Sequence, residues 1–335
     1  MAVTRDTSAV YPVAAPFNTS TPYTGNFIPT VWSAKLNAKF YAASIYGEIA
    51  NTDWQGEISG MNDKVVINTA PTITVTDYTI GGGGLNYQVP TPDVQEMVID
   101  KGKAFAFQIH DVLEYQAKPN LLDMFSADAA EQMRIAIDSN VLYNTFSGGS
   151  SSNKGATAGA KSASYDLGTD DSPITLTAAN VLQKILELAS VLDEQNVPDQ
   201  DRYLVIDPYT RTLLMQSNLA QAQFMGDATS MVRNGLIGVI DRFKAYVSNQ
   251  LPKAIAGTNT PWLSGDGSES SITSTGDAKR RVIIAGHKSA ITFASQVTKM
   301  ETVRNPSDFG DYIRSLNVYG FKVVKPEALA LLIVS

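Results

Sequence analysis

The sequence contains no cysteine. That absence excludes disulfide staples, Cys-ligated zinc, iron–sulfur clusters and thiol catalysis. Histidine is nearly as scarce, with only His110 and His287, too few imidazoles for a histidine-rich metal site. No run of 18 or more apolar residues occurs, so neither a membrane-spanning helix nor a membrane partner is expected. Residues 1–30 lack the basic start and apolar middle of a secretory signal. Positive charge is also short: 26 Lys and Arg face 33 Asp and Glu, a net charge of −7. Such a balance argues against a protein that wraps phosphate backbones with its whole surface, and leaves room only for local basic patches.

What is present is ordinary globular material. Apolar residues make up 44% and charged residues 18% of 335 positions, far from a disordered composition. A chain of this length can bury a sizeable core, and length alone suggests about two domains. The first thirty residues hold Pro12, Pro16, Pro22 and Pro29, with Arg5 and Asp6 their only charges. Proline removes donors and restricts its predecessor, so this stretch is no helix. It reads as an extended arm, and its composition fits a disordered tail equally well.

Beyond Pro29 the spacing of Trp32, Leu36, Phe40 and Ala43 predicts a helix, stopped by Gly47 and Asn51-Thr52-Asp53. Strand signals follow at Val65-Val66-Ile67, Thr72 to Thr76, Met97-Val98-Ile99, and Phe105, Phe107 and Ile109. Between the two pairs lies Gly81-Gly82-Gly83-Gly84. The simplest layout is a long hairpin with a glycine tip. A hairpin that long cannot bury both faces within one monomer, so it asks for a partner surface.

A long helix comes next, capped by Asn120 or Ser126. Its stripe is Ala130, Met133, Ile137 and Val141, with Asp128, Glu131 and Asp138 off that stripe. Residues 147–171 are Gly/Ser/Ala/Thr-rich and read as a surface loop. Thr177 opens another helix with the stripe Val181, Ile185, Leu188 and Leu192, followed by the buried strand Tyr203 to Ile206 and a helix from Thr210 to Gln216. Helix, strand and helix in succession imply a compact α+β unit. Residues 245–247, 282–284, 291–293, 318–324 and 329–334 are further strand candidates, and 252–277 a further exposed loop.

The search for chemistry returns little. The tetraglycine lacks the Gly-Lys-Ser/Thr and helix of a phosphate loop, since Leu85-Asn86-Tyr87 follows. His110 and Asp111 sit at a strand end, where neighbours point to opposite faces. His287 and Ser289 have no diagnostic triad spacing. Asp199, Asp201 and Asp207 read as a solvated turn, Asp166, Asp170 and Asp171 as a loop cluster with a weak resemblance to calcium ligands, and Lys279-Arg280-Arg281 as a solvated strand start. No catalytic residue, cofactor or metal is assigned. An enzyme built on the α+β unit would need a pocket with converging polar groups, and neither histidine has a plausible partner in the sequence.

Taken in order, five stretches resemble the tailed-phage major capsid proteins of the Hong Kong 97-like fold, from about Phe27 to Ser335. They are Phe27 to Ser33; Asp63 to Ile67 ahead of Tyr78; Phe105 to Asp111 with Gln116; Arg233-Asn234-Gly235-Leu236-Ile237-Gly238 through Phe243, Tyr246 to Asn249 and Leu251-Pro252; and Arg304-Asn305-Pro306 with Phe309-Gly310-Asp311, Val318-Tyr319-Gly320 and Pro326 to Leu329.

The resemblance implies an α+β capsid fold: an N-terminal arm (1–30), an N-terminal helix (31–52), an extended E-loop hairpin (53–117), and a P-domain with its spine helix (118–147). An A-domain (148–287), a P-domain β return (288–318) and C-terminal strands (319–335) complete it. It implies a structural, non-enzymatic subunit of an icosahedral shell around double-stranded DNA, assembled in the host cytoplasm and resident in the virion. Its partner is first of all itself, in pentamers and hexamers. A separate scaffolding protein and a portal are expected, because thirty residues before the first helix are too few for a fused scaffold. The net charge suits only weak contact with the DNA. Assembly contacts are expected at Gly81, Gly82, Gly83, Gly84, Arg233, Asn234, Arg304 and Asp311. No partner residues for a covalent Lys–Asn cross-link are matched, so none is expected. An encapsulin-like nanocompartment shell, holding cargo protein, is the alternative.

Overall fold

The computed structural model describes residues 44–54, 64–69, 71, 73–77, 87–110, 121–169, 172–217, 238–254, 262–263, 269–270, 280–306 and 309–335. In chain order come α1 (Tyr46–Ile49), β1 (Lys64–Thr69), β2 (Asp93–Val98), β3 (Lys101–His110) and α2 (Leu121–Thr145). Then follow α3 (Val181–Glu194), β4 (Arg202–Ile206), α4 (Pro208–Gln216), β5 (Val239–Ile240), β6 (Phe243–Val247) and β7 (Lys253–Ala254). The short pair β8 (Trp262–Leu263) and β9 (Glu269–Ser270) precedes β10 (Arg280–His287), β11 (Ile291–Arg304), β12 (Gly310–Val323) and β13 (Leu329–Val334).

The main core forms around a six-stranded mixed sheet ordered β13-β10-β4-β6-β5, with β7 on the start of β10. All five residues of β4 are buried, as a strand covered on both faces requires. β4 and β6 run parallel, joined through α4, while β10 lies antiparallel to both β4 and β13. The expected α3 stripe is fully buried here, and Ile137, Val141 and Leu142 of α2 join the same core. Asp207 caps α4: its Oδ1 accepts from the Thr210 amide, and Pro208 stands at the first turn, where a missing N–H costs nothing.

A second sheet of three antiparallel strands, β11-β12-β3, carries the longest pairing among the described residues. The hairpin β1–β2 stands apart with its own register, Lys64 opposite Val98.

Several expectations change. The strand at Phe105 to Ile109 is not part of the hairpin; it pairs with β12, so the return strand of the hairpin is β2 alone. Residues 73–77 are not in a strand, although Thr72 to Thr76 alternates. Gly47 lies inside α1 and the turn ends at Ala50; residues 1–43, with the rest of that expected helix, lie outside the described residues. Ser126 is inside α2, and Ala130 is exposed. Asn180 rather than Thr177 occupies the cap position of α3. Residues 147–169 are more than a surface loop: Asn153, Ala158 and Leu167 are buried. Asn153 donates to the Glu327 and Leu329 carbonyls, and the Ile333 amide donates to the Leu167 carbonyl, which covers the outer edge of β13.

Candidate assembly surfaces

The hairpin is anchored at one end by a small core separate from the main one. Val65, Ile67, Met97 and Ile99 pack with Ala294, Val318 and Val324. Alternation sends their neighbours outward, so Val66 and Val94 are about half exposed. Further along, Ile73, Val75, Tyr87 and Val89 are also exposed, Val75 at 93%. At its root the hairpin thus buries one face on the protein's own sheet and leaves apolar residues exposed on the other.

The three-stranded sheet has two unequal faces. Phe105 and Phe107 turn toward α2, where Phe107 meets Phe125 edge-on at 6.0 Å. On the opposite face Val318 belongs to the core under the hairpin, and Lys322 Nζ donates to the Glu96 carbonyl at 2.9 Å. Gly320 lies between them so close to β2 that a Cβ would stand 2.5 Å from the Val98 carbonyl oxygen. The hairpin therefore covers the root of this face. Toward the far end it is uncovered: Leu316, Tyr312 and Val303 are exposed, beside the exposed Ala104 and Ala106 of β3. Arg314 stands on this same face between Tyr312 and Leu316, opposite Ala106, so the exposed apolar residues flank an ion pair.

Two ion pairs cross the far end on register partners: Arg304 with Asp311 at 3.2 Å, and Arg314 with Glu301 at 2.5 Å. The sequence-expected pair Arg304 and Asp311 is thus brought together. Gly81 to Gly84, Arg233 and Asn234 lie outside the described residues. The exposed strip of Ala104, Ala106, Tyr312 and Leu316 went unnoticed in the sequence, because the signal depends on which strand lies beside β12.

Charged groups that read as solvated are mostly engaged. Arg202 is buried, donates to the Val197 and Pro198 carbonyls, and pairs with Asp193 and Asp199, which Arg242 bridges from outside. Asp201 pairs with Lys244, whose hydrogen bond holds its carboxyl below the usual range. Arg280 is buried and Arg281 is held in an ion pair, so these two are no solvated strand start, while Lys279 lies outside the described residues.

One cavity of about 470 Å³ opens where β4 and β6 end, lined by Asp207, Tyr209, Asn249, Leu251 and Arg281 among others. Its cation is already neutralised: Arg281 bonds Asp207 Oδ2 at 2.9 Å and the Ser335 carbonyl at 2.7 Å, with Tyr209 over its face. His287 Nδ1 lies 2.8 Å from Ser289 Oγ, and burial lowers its pKa. Among the described residues no further group completes a nucleophile there. Among the described residues no three metal-ligating side chains gather.

The phage capsid protein family model matches residues 93–332, well over half of the sequence. The chain belongs to that family. No curated protein matches it. Among solved structures, a chain of Mycobacterium phage Che8 is similar at 24% identity and a TM-score of 0.70, over 92% of this chain and 97% of that one. The capsid of the cyanophage P-SCSP1u superposes at 17% identity and 0.66, over 100% and 99%. The mature capsid of bacteriophage PhiM1 gives 14% and 0.63, over 97% of each. Mixed α/β architecture, with long sheets and few helices, is thus a phage capsid fold. The match begins at Asp93, so the family signature spans β2 to β13 and includes both the buried sheet and the exposed strip.

Proposed function

We propose that this capsid-family protein is the subunit of an icosahedral shell of the Hong Kong 97-like type that encloses the double-stranded DNA of a tailed phage. In this reading β1, β2 and the chain between them form the E-loop, α2 with β3, β11 and β12 the P-domain, and the six-stranded sheet the A-domain. The single observation that carries the reading is the hairpin. It is anchored at one end on its own sheet, while Val66, Ile73, Val75, Tyr87, Val89 and Val94 meet solvent. Exposed large apolar side chains gathered on one element mark an interaction site.

The hairpin reaches over a neighbouring subunit, and the strip at Ala104, Ala106, Tyr312 and Leu316, with the Arg314–Glu301 pair in its middle, is the proposed receiving surface. A heterologous contact repeated around symmetry axes closes a shell. Gly81 to Gly84, Arg233 and Asn234 join Arg304 and Asp311 as proposed contact residues. Pentamers and hexamers of this chain, a separate scaffolding protein and a portal are the proposed partners, the DNA touching the shell only weakly.

Light scattering after size-exclusion chromatography, followed by negative-stain microscopy, tests the reading. Uniform shells or ring-shaped capsomers of 36.0 kDa subunits are expected. Nucleic acid inside supports the virion, whereas a folded enzyme inside replaces it with a nanocompartment. A monomer that stays small with scaffolding protein added overturns the shell itself.

A further inference from the structure

Helix α2 buries a carboxylate that its own pattern places away from the core stripe. Asp138 is 0% exposed. Its Oδ1 accepts the Ile45 amide at 3.0 Å and the Tyr46 amide at 2.9 Å, the first donors of α1, which has no side-chain cap of its own. Oδ2 is buried with no hydrogen-bond partner. The segment so held is where the chain joins the core: Ile45, Ile49 and Ala50 are buried, and Asn51 exchanges backbone hydrogen bonds with Ile291 and Phe293 of β11.

The polar surroundings do not neutralise the charge. On α1, Tyr46 packs on Phe293 and feels Arg134, while Glu48 accepts from the Tyr246 hydroxyl of β6. On α2, Arg134 pairs with Glu131, and Asn140 accepts from the Tyr319 hydroxyl of β12. No described cation forms an ion pair with Asp138.

We propose that Asp138 is a proton-controlled clamp that sets how tightly residues 44–51 are held against α2. An ionised carboxylate strengthens its two amide bonds but buries a charge with one oxygen unsatisfied. A protonated carboxyl still offers an acceptor to the amides and buries no charge. Burial outweighs the amide bonds here, and it raises the pKa of Asp138 above the ordinary carboxylate value. A group whose pKa is raised by docking makes docking stronger below that pKa and weaker as pH rises through it. The clamp tightens as pH falls below that raised pKa and slackens above it.

Hydrogen exchange read by mass spectrometry on the purified protein, from about pH 4, the ordinary carboxylate value, upward to about pH 7 and corrected for intrinsic rates, tests this. Protection of 44–51 is expected to rise several-fold as pH falls, with 181–194 as the internal reference. Asp138→Asn keeps the Oδ1 acceptor without charge, so it should give high protection that does not change with pH. Flat protection in the wild type overturns the proposal, and so does an Asn variant less protected than wild type at the upper pH. The wild-type series decides alone if that variant does not fold.

Discussion

Arg202 illustrates how single residues in this chain are held by tertiary neighbours more than by their local pattern. It occupies a fully buried strand position, yet its guanidinium finds two backbone carbonyls and two carboxylates, with only Nη1 left without a bond. Arg202→Ala removes every one of those donors and opens a cavity, while Arg242 still neutralises Asp193 and Asp199. The expected loss is about 3 kcal/mol, toward the lower end for breaking a buried pair, because both carboxylates are partly solvated. Arg202→Met keeps the volume and should lose less than half as much. Denaturant unfolding of unassembled subunits checks both, and equal losses would show that the charge matters more than the packing.

At the scale of elements, the hairpin and the three-stranded sheet depend on a close approach at Gly320. A methyl group there would stand 2.5 Å from the Val98 carbonyl oxygen and 2.8 Å from Ile99 Cδ1, so β2 must move. Gly320→Ala is expected to cost about 1–3 kcal/mol as overpacking. The damage should be local: amides of 64–69 and 93–98 lose exchange protection while those of β4 and β10 keep theirs. Unchanged hairpin protection would refute the close approach. This contact also shows where the sequence stopped being legible. Buried runs such as Tyr203 to Ile206 and the α3 stripe announce themselves, because local periodicity encodes burial. Pairing does not: the alternation at Phe105 to Ile109 fits any partner strand, and only the fold places it on β12. For the same reason Asp138 reads as a solvent-facing residue until α1 is seen to lie across it. Arg304 and Asp311 were named from family resemblance, whereas the apolar strip beside them depends on that unread pairing.

For the whole molecule, the division of labour lies between a self-sufficient core and surfaces left incomplete. The six-stranded sheet buries most of its described apolar residues within one chain, the edge residue Val239 excepted, while the hairpin and the far end of the three-stranded sheet leave several exposed. A substitution on the uncovered strip should therefore separate folding from assembly. Leu316 is 37% exposed, opposite Ala104 in the register and next but one to Arg314 along β12. Leu316→Glu leaves the solvated side chain's carboxylate in water in the free subunit, so stability should change by no more than about 0.5 kcal/mol. In a shell the same carboxylate would be driven against apolar surface at a desolvation cost, with the neighbouring Arg314 already engaged by Glu301. Subunits that melt like wild type but give no shells by microscopy are expected. Normal shells from Leu316→Glu would mean that this strip faces solvent in the assembly, and the exposed hairpin residues would then need a different receiving surface.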